Sequence, residues 1–115
     1  MSGTSSTRVT ATGPVLTLTG DLDAATAPEA QRELARLTVA AGQLLVVDLT
    51  AVAFCDSSGI NALIAARNIA VAADADLALV AVPRHLDRVL VMIGLASLFT
   101  TYATVELAVA DHAER

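Results

Sequence analysis

Leu44-Leu45-Val46-Val47-Asp48-Leu49 constrains this chain more than any other stretch. It is apolar at nearly every position, as expected of a strand covered on both faces; a half-exposed strand would alternate instead. Thr50 to Asp56 reads as a short bend. From Ser57 an alanine-rich helix is expected to run to about Ala72, with Ile60, Leu63, Ile64 and Val71 on one face. Ser57 and Ser58 therefore stand at a helix start, where unpaired backbone N–H groups and the positive end of the helix dipole favour an added anion. A serine there suits a phosphorylation switch. It equally suits a plain helix cap, since Asp and Ser are preferred caps worth about 1 kcal/mol.

The remaining pattern supplies the elements around that strand. Residues 1–8 read as a flexible N-terminal tail and 111–115 as a C-terminal one, leaving a single domain over 9–110. Val9 to Thr19 alternates around Thr12-Gly13-Pro14, which predicts a hairpin closed by Gly20-Asp21-Leu22-Asp23. Thr26-Ala27-Pro28-Glu29 has the form of a capping box, and a helix is expected from there to Gly42. Asp74-Ala75-Asp76 is a turn, Leu77 to Val82 a buried strand, and Pro83 opens a third helix that Gly94 stops. Phe99 to Thr104 reads as a last short strand and Val105 to Ala110 as a closing helical turn. The order β-β-α-β-α-β-α-β-α predicts an α/β domain with a mixed four- or five-stranded sheet and packed helices. In such sheets functional groups collect beyond the carboxyl ends of the strands. Two loops of that kind are acidic, Asp21/Asp23 and Asp56-Ser57-Ser58.

Composition removes several function classes. The net charge is −5, and all seven basic residues are scattered arginines, so no basic patch for nucleic acid is expected. The first seven residues, Met1-Ser2-Gly3-Thr4-Ser5-Ser6-Thr7, are mostly polar and lack the apolar core of a signal peptide. Val89 to Phe99, the longest strongly apolar stretch, is too short to span a bilayer. The expectation is a soluble, cytoplasmic protein that binds no membrane, and the lone Cys55 fits a reducing compartment. Cys55 is expected to be a small buried hydrophobe.

An enzyme reading finds little support. Ser57-Ser58-Gly59 is not the Gly-x-Ser-x-Gly elbow, and neither His85 nor His112 has a carboxylate at a suggestive spacing. There is no phosphate-binding loop and no Cys/His metal pattern, so no catalytic residue, cofactor or metal is expected. Asp23 has a simple role open to it as a turn-former.

Gly20-Asp21-Leu22-Asp23-Ala24-Ala25-Thr26-Ala27-Pro28 resembles the Gly-x-Leu-Asp-x-x-Thr-Ala pattern of the STAS domain family. Val46-Val47-Asp48-Leu49-Thr50 and then Phe54-Cys55-Asp56-Ser57-Ser58-Gly59-Ile60 resemble the central signature of that family. Leu77 to Val82, Val89, Gly94 and Leu98-Phe99 resemble its C-terminal half. In length and architecture the chain is similar to the family's stand-alone, serine-retaining members, the anti-sigma factor antagonists. That resemblance implies a partner switch. An anti-sigma factor with serine kinase activity would phosphorylate the serine directly after the Asp, here Ser57 rather than Ser58. The unphosphorylated antagonist would bind the anti-sigma factor and free the sigma factor, and a PP2C-type phosphatase would reset the system. Asp23 and Asp56 match the acidic residues flanking the acceptor, and the implied partner surface is Asp23, Asp56, Ser57, Ser58, Gly59, Ile60 and Asn61. Asn61 departs from the pattern, since many relatives carry a small residue such as Gly there. The competing expectations are a STAS subunit with a structural or regulatory role in a transporter ATPase or stress-signalling complex, and a small enzyme, which the lack of a base disfavours.

Overall fold

The computed structural model describes residues 3–114. Five strands form one sheet in sequence order: β1 (Thr4–Thr10), β2 (Gly13–Leu22), β3 (Leu44–Cys55), β4 (Asp76–Val80) and β5 (Thr100–Tyr102). β1 and β2 are an antiparallel hairpin; every later neighbour is parallel. The helices are α1 (Ala27–Arg36), α2 (Ser57–Ala72), α3 (Arg84–Met92) and α4 (Val105–Ala113), with a 3-10 turn at Ala96–Leu98. The expected element order and the mixed sheet are both present.

The strand period sorts the core into two layers. Leu45, Val47 and Leu49 of β3 join Leu16 and Leu18 of β2 under α1, α2 and α3, which contribute Leu34, Leu63, Leu86 and Leu90. Val46 faces the other way, with Val15, Ala78 and Val80, and is covered by Val105 and Ala108 of α4. Each fully buried Val or Leu contributes roughly 1.5–3 kcal/mol. β3 is thus buried on both faces, which is why its first six residues carry no polar face.

The structure corrects several boundaries. Of the tail expected at 1–8, residues 1 and 2 lie outside the described residues, but Thr4 onward is strand, pairing Thr4 with Thr19 through Thr10 with Gly13. Its hydroxyl-rich sequence hid it: β1 is an edge strand, exposed at most positions, and thereby lacks apolar alternation. α1 stops at Arg36 instead of Gly42, with Leu37 turning to extended backbone. β-branched Thr38 and Val39 come next and do not favour continuing a helix. Gly42, at φ 79°, serves a turn whose N–H donates to Asp74 O.

β3 runs on to Cys55 through the region read as a bend. The register explains the discrepancy. Thr17 pairs with Asp48, Thr19 with Ala51 and Asp21 with Phe54, so β3 takes up two bulged residues along the way. Asp48 Oδ1 accepts both the N–H and the hydroxyl of Thr50 at the first irregularity. Bulges break the two-residue alternation on which a strand is recognised. Of the C-terminal tail expected at 111–115, residues 111–113 are the end of α4, whose first turn is capped by the Thr104 hydroxyl accepting from Leu107 N–H. Residue 115 lies outside the described residues.

Candidate functional site

Leu22 and Cys55 are register partners at the carboxyl ends of β2 and β3, and Asp56 N–H donates to Leu22 O at 3.1 Å. The two acidic loops therefore leave the sheet side by side. Asp23 lies in the first. Its Oδ1 accepts from the N–H groups of Ala25 and Thr26 at 3.0 and 3.2 Å. This is an Asx-type turn, and the carboxylate is occupied in folding its own loop. The capping box expected at Thr26 does not form. The Thr26 hydroxyl instead donates to Asp21 O at 2.7 Å and accepts from Asp23 N–H at 3.0 Å, tying the loop back onto β2.

The second loop is shorter. Asp56 is the cap of α2, its Oδ1 accepting from Ser58 N–H at 2.8 Å and Gly59 N–H at 3.3 Å. Two of the N–H groups expected to be open to an anion are thus already satisfied. Ser57 is the first residue of α2 and is exposed; Ser58 is partly buried. Of the two hydroxyl residues, Ser57 is the more accessible to another protein.

Gly59 and Ile60, expected from the sequence to be partner contacts, are both buried. Gly59 has a different task. A Cβ there would lie 2.5 Å from Cys55 Sγ, 2.7 Å from Leu22 O and 2.9 Å from Leu22 Cγ. Only glycine lets the first turn of α2 sit this close to the ends of β2 and β3, and that approach holds Asp56 and Ser57 in place. Ile60 packs into the helical-side core. Asn61 is exposed and lines a shallow groove of about 200 Å³ with Ser58, Gln31, Ala24, Ala27 and Pro28. The structure therefore brings Asp23, Asp56, Ser57, Ser58 and Asn61 to one end of the molecule, with Gly59 and Ile60 beneath.

Phe54 does not stand out as a contact residue in the sequence, yet it is half-exposed at the end of β3, three residues before Ser57. Its one signal is an apolar residue where the strand should be bending. Cys55, as expected, is buried; that burial, with the charge of Asp56 second, pushes its thiol up to about 11. Its neutral form suits packing, not nucleophilic chemistry. His85 is exposed on α3. His112, expected in a loose tail, is docked at the opposite end of the sheet, its Nε2–H donating to Gly42 O at 3.0 Å. Among the described residues no three His, Cys, Asp or Glu side chains gather in a way that could hold a metal ion, and no helix is long and apolar enough to cross a membrane.

What this end of the molecule offers is an exposed hydroxyl beside two carboxylates that already have hydrogen-bond partners. A phosphate on Ser57 would add about −1.5 to −2 charges there. It would add to the charge of Asp56, whose carboxylate already takes two of the N–H groups of the first helical turn.

The family model described as the STAS domain matches residues 5–108. No curated protein sequence matches the chain closely enough to supply a relative. Among solved structures, an anti-sigma factor antagonist from Mycobacterium paratuberculosis is similar at 26% identity, over 97% of this chain and 95% of that one, with a TM-score of 0.83. The Bacillus cell fate determinant SpoIIAA, solved in its phosphorylated form, is 19% identical over 94% and 98% of the two chains, with a TM-score of 0.70. A sulfate transporter family protein from Wolinella succinogenes shares the fold at 15% identity, over 93% and 89%, with a TM-score of 0.77.

Proposed function

We propose that this chain, which belongs to the STAS domain family, is an anti-sigma factor antagonist switched by phosphorylation of Ser57. Its unphosphorylated form binds an anti-sigma factor with serine kinase activity and so releases a sigma factor. Phosphorylation ends that association, and a PP2C-type phosphatase restores it. The observation that carries the reading is the placement of an exposed Ser57 directly after the Asp56 cap, at the family's signature position.

The physical account of the switch is electrostatic. The partner surface must match a neutral hydroxyl between Asp23 and Asp56, with Phe54 as a neighbouring apolar anchor. A half-exposed aromatic is the type of residue that dominates binding energy. Phosphate on Ser57 adds negative charge that a partner surface fitted to the neutral hydroxyl would have to desolvate. A loss of about 2.7 kcal/mol is a 100-fold change in affinity. Since Ser57 is a surface residue at the first position of a helix, the fold itself need not change.

The comparison with the Mycobacterium paratuberculosis protein, described as an anti-sigma factor antagonist, supports this assignment, and the phosphorylated form of SpoIIAA supports a phosphate in this fold. A second reading, a STAS subunit with a structural or regulatory role in a transporter ATPase or stress-signalling complex, rests on the fold likeness to the sulfate transporter family protein. One experiment separates them: incubate the protein with candidate anti-sigma kinases and Mg-ATP, then map phosphate by mass spectrometry. The proposal expects phosphate on Ser57, none on a Ser57→Ala variant, and retained binding of that variant to the kinase. Phosphate on Ser58 or Thr26 contradicts the residue assignment, and no phosphate with any candidate favours the second reading.

A further inference from the structure

α3 buries only Leu86 and Leu90 and leaves its other side chains in water. Arg84, Arg88 and Met92 recur every four residues and share the outer face opposite those leucines, with Val91 beside them. Val91 is 61% exposed, Met92 81% and the following Ile93 52%; the 3-10 turn lying against α3 adds exposed Leu98. Monomeric proteins seldom leave a large apolar cluster uncovered. The basic half of the face is unmatched too. Among the described residues Arg84 and Arg88 make no ion pair, not even with Asp87, the one carboxylate on α3, whereas Arg32 and Arg36 pair with Glu29 and Glu33 at 2.7 and 3.0 Å. α4, on the other side of the sheet, carries the counterpart. It buries Val105 and Ala108 and exposes Glu106, Ala110 and Glu114, again four residues apart, beside Leu107, which is 54% exposed. Asp111 is bonded to the Tyr102 hydroxyl and His112 to Gly42 O, so both are engaged within the chain.

We propose that the outer face of α3 docks on the outer face of α4 of a second copy of this chain. Laid antiparallel in one register, Arg84 meets Glu114, Val91 meets Leu107, and Met92 lies along the stem of Glu106. Arg88 falls opposite Ala110, one helical turn from both glutamates. The same orientation sets the positive end of α3 against the negative end of α4. An antiparallel pair of α3 faces would instead set Arg88 against Arg88. Because α3 and α4 cover opposite sides of the sheet, the contact joins two different surfaces, and every added copy leaves one of each open. A seam of this length gives weak, reversible association. It shares no residue with the Ser57 surface and does not depend on the switch proposed there.

The test is sedimentation equilibrium of the full chain over a hundredfold range of concentration. The average mass is expected to climb with concentration past that of a dimer. The double variants Arg84→Glu with Arg88→Glu, and Glu106→Lys with Glu114→Lys, should each weaken association at least tenfold. An equimolar mixture of the two should associate again, since the reversed α3 of one meets the reversed α4 of the other. Should a charge-reversed chain fold poorly, Met92→Ser and Leu107→Ser remove the apolar contact from either side and should each weaken association severalfold. A monomer throughout the range, a mass that stops at the dimer, a mixture that stays monomeric, or undiminished association of the Met92 and Leu107 variants would each overturn the assignment.

Discussion

The loops after β2 and β3 leave the sheet as neighbours, each led by an aspartate, and they use that aspartate differently. Asp23 turns inward on its own loop, where its carboxylate and the Thr26 hydroxyl make a closed set of short-range bonds. Asp56 caps a helix of 16 residues and leaves the next side chain, Ser57, in solvent. The first loop is a scaffold completed by its own atoms. The second is a scaffold that presents a hydroxyl. The difference lies in the residues immediately after each aspartate. Ala24-Ala25-Thr26 supplies a loop with room to fold back, whereas Ser57-Ser58-Gly59 enters a helix at once, pressed against β2 and β3 by a residue without a side chain.

Substitutions can break that contrast in order of expected size. Gly59→Ala forces a methyl into Cys55 Sγ and the backbone of Leu22, at 2.5 and 2.7 Å. Overpacking of this kind costs about 1–3 kcal/mol. It should lower the thermal midpoint by several degrees and weaken partner binding too, because Ser57 rides on the same turn; an unchanged midpoint in calorimetry would show that α2 is not held tightly against the strand ends. Phe54→Ala should leave the fold within about 0.5 kcal/mol, as surface changes usually do, yet weaken the proposed complex with the anti-sigma factor about tenfold. A variant that binds normally by titration calorimetry would remove Phe54 from the contact surface.

Smaller effects separate the two aspartates. Asp56→Ala removes a helix cap and should cost about 1 kcal/mol in urea unfolding. Asp23→Asn keeps an acceptor for the turn and should cost under about 0.5 kcal/mol, since Asn makes the same turn. Equal losses for the two would mean that the loops do not differ as their bonding indicates. Cys55 supplies the last test. Its thiol pKa is higher in the fold, about 11, than the ordinary 9.0, because burial and then Asp56 disfavour the thiolate. The folded state therefore holds that proton more tightly, and the stabilisation, full below pH 9, is lost as pH rises through about 11. Wild type should lose stability over that window relative to Cys55→Ala, and parallel pH profiles of the two would contradict it.

Much of this is legible in the residues because the central strand is buried on both faces and the helices carry clear stripes; Leu44 to Leu49 and Ile60, Leu63 point correctly to strand and helix. The Asp56-Ser57 juncture is legible for the same reason, lying where one period gives way to another. Failures fall where period and environment part company. β1 pairs through its backbone while its side chains stay wet, so it resembles a tail. The second half of β3 buries Val52 and Cys55, three residues apart, because of its bulges, and a two-residue rule misses it. Gly59 and Ile60 read as contacts because they belong to the motif, and their burial in the first turn of α2 is a matter of packing that the motif does not display.

The central claim, that charge at Ser57 and not refolding controls association, is tested most directly by one paired measurement. The protein, stoichiometrically phosphorylated on Ser57, and its unmodified form are titrated into the proposed anti-sigma kinase partner by calorimetry, with amide NMR spectra of both forms recorded alongside. The account predicts at least a 100-fold loss of affinity with spectral changes confined to the neighbourhood of Ser57, Asp56 and Asp23, and a partial loss for Ser57→Asp, whose carboxylate carries less charge. Unchanged affinity, or affinity lost together with the helical signature of residues 57–72, would contradict it.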